Sequence, residues 1–189
     1  MTGVIKLSQQ ILTAMCVAAC IVGCAGSPPP PDWQANATTS VDHAVMAYLS
    51  GDSAVEAQDF ESARSNIART GRPDLLARAE LMRCAGHVAS LEFEPCAGFE
   101  LLKQDVAAPE RAYADYLAAR VLSADDVARL PAPQRSAAAA VAGRDAAAPS
   151  LQRIEDPLSR LIAAAVLFKA GKASPAMIAT AVDTASAQG

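Results

Sequence analysis

The stretch PDLLARAELMRCAGHVASLEFEPC, residues 73–96, decides the fold. It begins with Pro73-Asp74, a pair that favours the first turn of a helix because the missing backbone donor of proline costs nothing there. Apolar residues then recur every three or four positions, which is the period of an amphipathic helix. They include Leu75, Leu76, Ala79, Met82 and Leu91. The pattern predicts a helix from Pro73 that ends near Ser90, followed by a turn at Pro95.

The segment before this helix carries two further helical stripes. The first starts at Asp32 and ends at Gly51, and the second follows a capping-box spacing over Ser53–Glu56 and ends at Gly71. The two stripes predict a helical hairpin. It resembles one tetratricopeptide unit, and no matching copy follows 34 residues later. The residues that carry this resemblance are Gly51, Ala63 and Ile67.

Helix signals continue through the C-terminal half. Start signals stand at Pro109-Glu110, Ser123-Ala124, Asp156-Pro157 and Ser174-Pro175. We predict that the helix beginning at Pro109 includes Val121, that a short helix spans residues 97–103 and that an alanine-rich one spans 134–142. Aromatic residues make up only 4% of the chain, and no useful stretch alternates apolar with polar residues as a strand would. The sequence therefore predicts an all-α fold, with helical hairpins stacked in a compact or short tetratricopeptide-like array.

The N-terminus has the pattern of a secretory signal. Lys6 precedes an apolar run that closes on Ile21-Val22-Gly23-Cys24. These residues resemble the lipobox of bacterial lipoproteins, in which the cysteine receives a diacylglyceryl group and becomes the new N-terminus after cleavage. Val17-Ala18-Ala19-Cys20 also fits that pattern, but cleavage before Cys24 leaves an apolar run of about 15 residues, the upper length for a signal peptide. The resemblance implies a cleaved signal peptide over 1–23 and lipidation at Cys24.

The lipobox also implies how the rest of the chain is placed. Residues 24–31 form a linker with four consecutive prolines, and residues 32–189 form a single α-helical domain. By resemblance to lipoprotein sorting, Ala25 after the lipidated cysteine favours the outer membrane, with the domain facing the periplasm. Lys6 is the only charged residue before Cys24, so the mature chain has 15 basic and 20 acidic residues and a net charge of -5. This charge disfavours nucleic acid as a partner.

Two cysteines remain in the predicted domain, Cys84 within the central helix and Cys96 after it. In a reducing cytosol they would be ordinary buried thiols. The envelope location implied by the lipobox is oxidising, and there paired cysteines usually form a disulfide. We therefore predict a Cys84–Cys96 bridge, with two separately packed free cysteines as the alternative.

The sequence offers little chemistry beyond this. It has no hydrolase elbow, phosphate loop, dinucleotide fingerprint or zinc-protease motif, and we predict no cofactor and no metal ligands. His43 beside Asp42 and His87 near Cys84 are the only histidines, and they are typical of surface or boundary positions. Glu92 and Glu94 flank an aromatic residue and are best explained by a solvated turn.

Several segments resemble an uncharacterised family of helical lipoproteins from Gram-negative bacteria. The segments are DWQANA at 32–37, RAELMRC at 78–84, ASLEF at 89–93 and ERAYADYL at 110–117. The likeness spans most of the mature chain, and it implies an envelope location and an all-helical fold without implying any catalytic residue. It also implies a further amphipathic helix after Gly189, which would make this sequence a truncated form.

Two functions from different classes follow. The first is a membrane-anchored, non-catalytic envelope lipoprotein that binds another protein or contributes to envelope assembly, since paired helices form grooves for peptides or partner helices. The alternative is an envelope enzyme or enzyme-associated factor whose site is too dispersed in the sequence to recognise. A long apolar strip favours the first function, and a pocket of converging titratable groups favours the second.

Overall fold

A computed structural model describes residues 31–144 and 149–188. Over these ranges the chain forms nine α-helices and no strand, so the prediction of an all-α fold is confirmed. The helices are α1 (Asp32–Leu49), α2 (Ser53–Ala68), α3 (Pro73–Ala89), α4 (Ala97–Glu100), α5 (Ala108–Leu117), α6 (Ala124–Arg129), α7 (Arg135–Val141), α8 (Pro157–Lys169) and α9 (Pro175–Gln188). Short 3-10 turns lie at Ala132–Gln134 and Leu151–Arg153. The predicted signal peptide and most of its linker lie outside the described residues.

Side-chain caps explain where several helices begin. Asp156 accepts a hydrogen bond from the Ser159 backbone nitrogen at 2.7 Å, and Ser123 caps α6 in the same way. The predicted capping box at Ser53 is wrong by one residue. The cap of α2 is Asp52, which accepts from the Val55 backbone nitrogen at 3.1 Å, so the carboxylate one position before Ser53 takes the capping role.

Two helices end without a glycine, and one of them ends earlier than the sequence predicts. Helix α5 stops at Leu117 because Ala119 adopts a left-handed backbone with φ +58°, so Val121 lies beyond the helix and is exposed. Leu91 ends α3 in the same conformation, with φ +65°. Glycine is the usual residue in this conformation. Since Leu91 and Ala119 take the place of glycine, the sequence marks neither of these helix ends.

Helix α3 lies between two hydrophobic cores. One face packs with α1 and α2 into the smaller core, formed by Ala37, Val41, Ala44, Phe60, Ala63, Ile67 and Ala79. The opposite face packs with α5, α7 and α8 into the larger core, whose main side chains are Leu81, Val88, Phe99, Tyr116, Leu117, Leu130, Val166 and Leu167. Residues Pro31–Gly189 form one compact unit around this helix. Helix α3 is therefore shared by both cores.

Three buried glutamates fix α3 against its neighbours. Arg83 of α3 donates to both carboxylate oxygens of Glu56 on α2, with Nη2 3.2 Å from Oε2. Glu80 of α3 accepts from Arg64 of α2. Each carboxylate is buried whereas each guanidinium is partly exposed, so the arginines cover the charges and reach solvent themselves.

The third pair ties α3 to the larger core. Arg78 Nε donates to Glu110 Oε1 on α5 at 2.7 Å. The second oxygen, Oε2, is buried without a partner among the described residues. Glu110 therefore depends on Arg78 for the compensation of its charge.

Glu80 also determines the residue at position 98. The backbone of α4 passes so close to the Glu80 carboxylate that a Cβ atom at Gly98 would overlap it. Burial raises the pKa of Glu80 above its ordinary value, although the Arg64 and Arg83 charges oppose that rise. The missing Cβ of Gly98 allows this close approach, whereas the backbone conformation of Gly98 does not call for glycine.

A buried polar bridge joins α5 to α8. The Tyr116 hydroxyl donates to Gln134 Oε1 at 2.6 Å, and Gln134 Nε2 donates to the Ser159 carbonyl at 3.1 Å. Tyr116 and Gln134 are almost completely buried. Because both polar ends are paired, the bridge fixes the spacing of the two helices without leaving an unsatisfied group.

We predict that the three tyrosines of this chain resist ionisation while it is folded. Burial raises the pKa of Tyr113 to about 12 and that of Tyr116 well above its ordinary value. Burial, reinforced by Glu92, also raises the pKa of Tyr48 to about 12. Their protonated forms are favoured by folding, so this stability is complete below pH about 10, the unfolded pKa. It is lost as the pH rises from about 10 through about 12.

Ultraviolet absorbance of tyrosinate measures this directly. The denatured chain should ionise all three tyrosines near pH 10, and the folded chain should show no tyrosinate there until it unfolds at higher pH. Folded protein with a tyrosine that titrates at its ordinary pKa would contradict the prediction.

Candidate functional site

The structure brings the two predicted cysteines together. Cys84 is buried on α3, Cys96 lies immediately before α4, and their Cα atoms are 5.6 Å apart. This separation lies in the usual range for a disulfide. The prediction that Cys84 and Cys96 lie close enough for a disulfide is therefore confirmed. Cys24 and its alternative Cys20 lie outside the described residues, so lipidation stays a prediction.

We predict that a Cys84–Cys96 bridge contributes about 3 kcal/mol to the free energy of unfolding, because it closes a loop with a sequence separation of 12. Cys84→Ala, Cys96→Ala and the double variant should each lose about the same amount, since all three remove one shared bond. Denaturant unfolding under oxidising conditions measures the losses. Reduced wild-type protein is the control, and additive losses in the double variant would indicate two independently packed cysteines.

His87 and Glu92, near the end of α3, form a partly exposed group with Tyr48 of α1. The His87 ring stacks on Tyr48 of α1, with centroids 4.0 Å apart, and His87 Nδ1 lies 3.4 Å from Glu92 Oε2. Glu92 and Glu94 are exposed, as a solvated turn predicts, and so is His43. Sequence reasoning missed the contact between Tyr48 and His87, because the two residues lie on different helices. The group ties the end of α3 to α1.

The described residues contain neither a metal-binding cluster nor a helix that could span a membrane. Across residues 31–144 and 149–188, no cluster of three histidine, cysteine, aspartate or glutamate side chains is placed to hold a metal ion. In the same ranges, no helix combines the length and the hydropathy needed to span a membrane.

A further feature of the surface is an apolar area, which we term the C-terminal strip. Its exposed members come from α1, the end of α3, α8 and α9, and are Met46, Leu91, Phe168, Ile178 and Val182. Between 43% and 58% of each residue is exposed. Scattered single apolar residues are common on protein surfaces, but a contiguous group usually marks a binding surface.

The strip is a groove with two recesses. They have volumes of about 200 and 230 Å³, and they share Ala89, Leu161 and Ala185 in their walls. Alanines form most of the floor of the first recess, because α8 and α9 approach each other through small side chains. In the part of the chain that the structure describes, none of the residues that line either recess carries a charge. The large side chains of the strip therefore border recesses that are lined by small and uncharged residues.

The start signals at Asp156-Pro157 and Ser174-Pro175 predict the two helices that carry most of the strip, but they do not predict its exposure. Phe168, Ile178 and Val182 belong to the apolar patterns of the last two predicted helices. Helix α8 is apolar on more than one side, and its buried side is already filled by Ile162, Ala163, Val166 and Leu167. Phe168 therefore remains outside the core. The sequence signal for the exposure of Phe168 was that its helix is apolar on more than one side.

A second cleft, of about 570 Å³, lies between α1 and α3. Trp33 lines it together with Arg72 and Arg78. Arg72 donates to Asp74 from Nε and Nη2, and Arg78 holds Glu110 on α5. Both arginines of the cleft are thus already paired with carboxylates of the protein. This cleft is therefore a weaker candidate for a binding site than the C-terminal strip.

Comparison with known proteins adds no relative, since no protein-family model, no curated protein and no solved structure matches this chain. The resemblance to helical envelope lipoproteins therefore stays a prediction from the sequence.

Proposed function

We propose that this protein is a lipid-anchored, non-catalytic binding protein of the bacterial cell envelope, which holds a partner protein on its C-terminal strip. The observation that carries the proposal is the contiguous, uncharged apolar surface of that strip. About half of each of its five large residues is exposed, and with roughly 150–200 Å² available per large side chain they offer roughly 400–500 Å². Patches of about 300–600 Å² on soluble proteins are often functional.

The proposed anchor is the diacylglyceryl group on Cys24, at the outer membrane and facing the periplasm. The proline-rich linker supports this arrangement, because an extended chain of about 3.1 Å per residue keeps the domain within about 20 Å of the lipid. The helical hairpins would then form a short tetratricopeptide-like array close to the membrane. Its partners would be the lipid bilayer through the anchor and one protein through the strip.

We predict that Cys24→Ser abolishes metabolic labelling by a radioactive or clickable fatty acid and releases or mis-processes the protein. Cys20→Ser should retain the label, since cleavage before Cys24 fits the length of the signal better. The labelled protein should fractionate with the outer membrane. Loss of label in Cys20→Ser alone would move the lipid to Cys20, and recovery in the inner membrane would contradict the proposed location.

We predict that a photoreactive amino acid placed at Val182 crosslinks the protein to a discrete partner in intact cells. The same residue placed at Val121 should give no adduct, because Val121 is 72% exposed but lies outside the strip. Adding Ile178→Lys to the Val182 probe should remove the adduct, since a charge would then lie in the apolar groove. Equal adducts from positions 182 and 121 would contradict a specific binding surface.

A further inference from the structure

We infer that the partner segment held by the C-terminal strip is an amphipathic α-helix of about three turns with an uncharged apolar face. This inference rests on the proposed function and names the chemistry of its partner. It follows from the walls, the length, the charge and the area of the strip.

The walls of the groove favour a helix over an extended peptide. Most of their residues belong to α1, α3, α8 and α9, whose backbone groups are hydrogen-bonded within each helix, and Ser50, Ser90, Leu91 and Ala173 lie just beyond helix ends. An extended segment pressed into this groove would bury its own N–H and C=O groups without partners. A helix satisfies its backbone internally and can present only side chains.

The length of the groove sets the length of the segment. Along α8 the walls run from Pro157 to Phe168, eleven residue steps or about 16 Å at the helical rise of about 1.5 Å. A partner helix covers the same distance with about eleven residues. Each recess, at about 200 and 230 Å³, accommodates one or two large side chains, since a cavity of about 150 Å³ holds a benzene molecule. Anchors spaced three, four and seven residues apart would reach both recesses.

The charge of the strip restricts the face that is bound. Among the described residues, none that lines either recess is charged, so a lysine or glutamate directed into the groove would be desolvated without a counter-charge from them. The partner must therefore place its charged residues on its outer face, toward solvent.

The area of the strip disfavours a second copy of this chain as its occupant. Roughly 400–500 Å² of apolar surface is about half of the 800 Å² per partner that stable interfaces bury. One short helix can cover the strip, whereas two copies facing each other would bury too little to remain associated. The strip thus suits a separate helical segment.

The test uses the full-length protein in lipid nanodiscs and a labelled 14-residue alanine-based peptide with leucines at helical spacing. Fluorescence anisotropy should detect saturable binding, and a matched peptide with a central proline should bind at least tenfold more weakly because proline breaks the helix. Val182→Lys and Ile178→Lys should each weaken binding at least tenfold. Leu101→Lys and Val121→Lys alter exposed apolar residues outside the strip and should leave it unchanged. Circular dichroism confirms that each variant is folded.

Several results would overturn the inference. They are equal binding of the two peptides, binding that survives Val182→Lys, no binding of either peptide, or sedimentation that shows a wild-type dimer disrupted by Val182→Lys. If a crosslink from position 182 persists in cells while the helical peptide fails, the protein has a partner of different chemistry and only the inference fails. If both are absent, the proposed function fails as well.

Discussion

The structure depends on the compensation of three carboxylates that folding removes from water. Glu56, Glu80 and Glu110 are buried, and each is paired with a partly exposed arginine on a neighbouring helix. A buried charge is tolerated only when it is paired, so removing one partner leaves an uncompensated ion, which is more costly than losing an exposed pair. All three pairs include a residue of α3. Together they fix α2 and α5 against α3, whereas apolar packing alone would tolerate small slips.

The other specific contacts converge on the same helix. Cys84 meets Cys96 at disulfide distance, and the Glu80 carboxylate takes the space that a side chain at Gly98 would need. The His87 ring stacks on Tyr48 of α1. Helix α3 is thus tied to α1, α2, α5 and the segment that enters α4. A change in the orientation of α3 would disturb both hydrophobic cores at once.

The C-terminal strip lies outside this network of ion pairs and contacts around α3. Helix α8 packs its buried side against α3, and α9 then packs on α8. Alanines let these two helices approach closely, but they leave larger residues such as Phe168 and Val182 above the contact. In the described residues nothing covers that side. Because the groove is already formed by packed helices, binding a partner does not incur the entropy cost of ordering its walls.

The sequence by itself determined the features that depend on neighbouring residues along the chain. Helix periodicity and start signals predicted an all-α fold, the start of α3 at Pro73 and the cap of α8 at Asp156, because those interactions span only a few residues. The lipobox resemblance implied an oxidising compartment. That redox state in turn implied a disulfide between Cys84 and Cys96. Only the tertiary structure decided which glutamate meets which arginine and which apolar side chains remain uncovered. The residues of the strip are as apolar as those of the core, and their exposure depends on where distant helices pack, which local pattern does not encode.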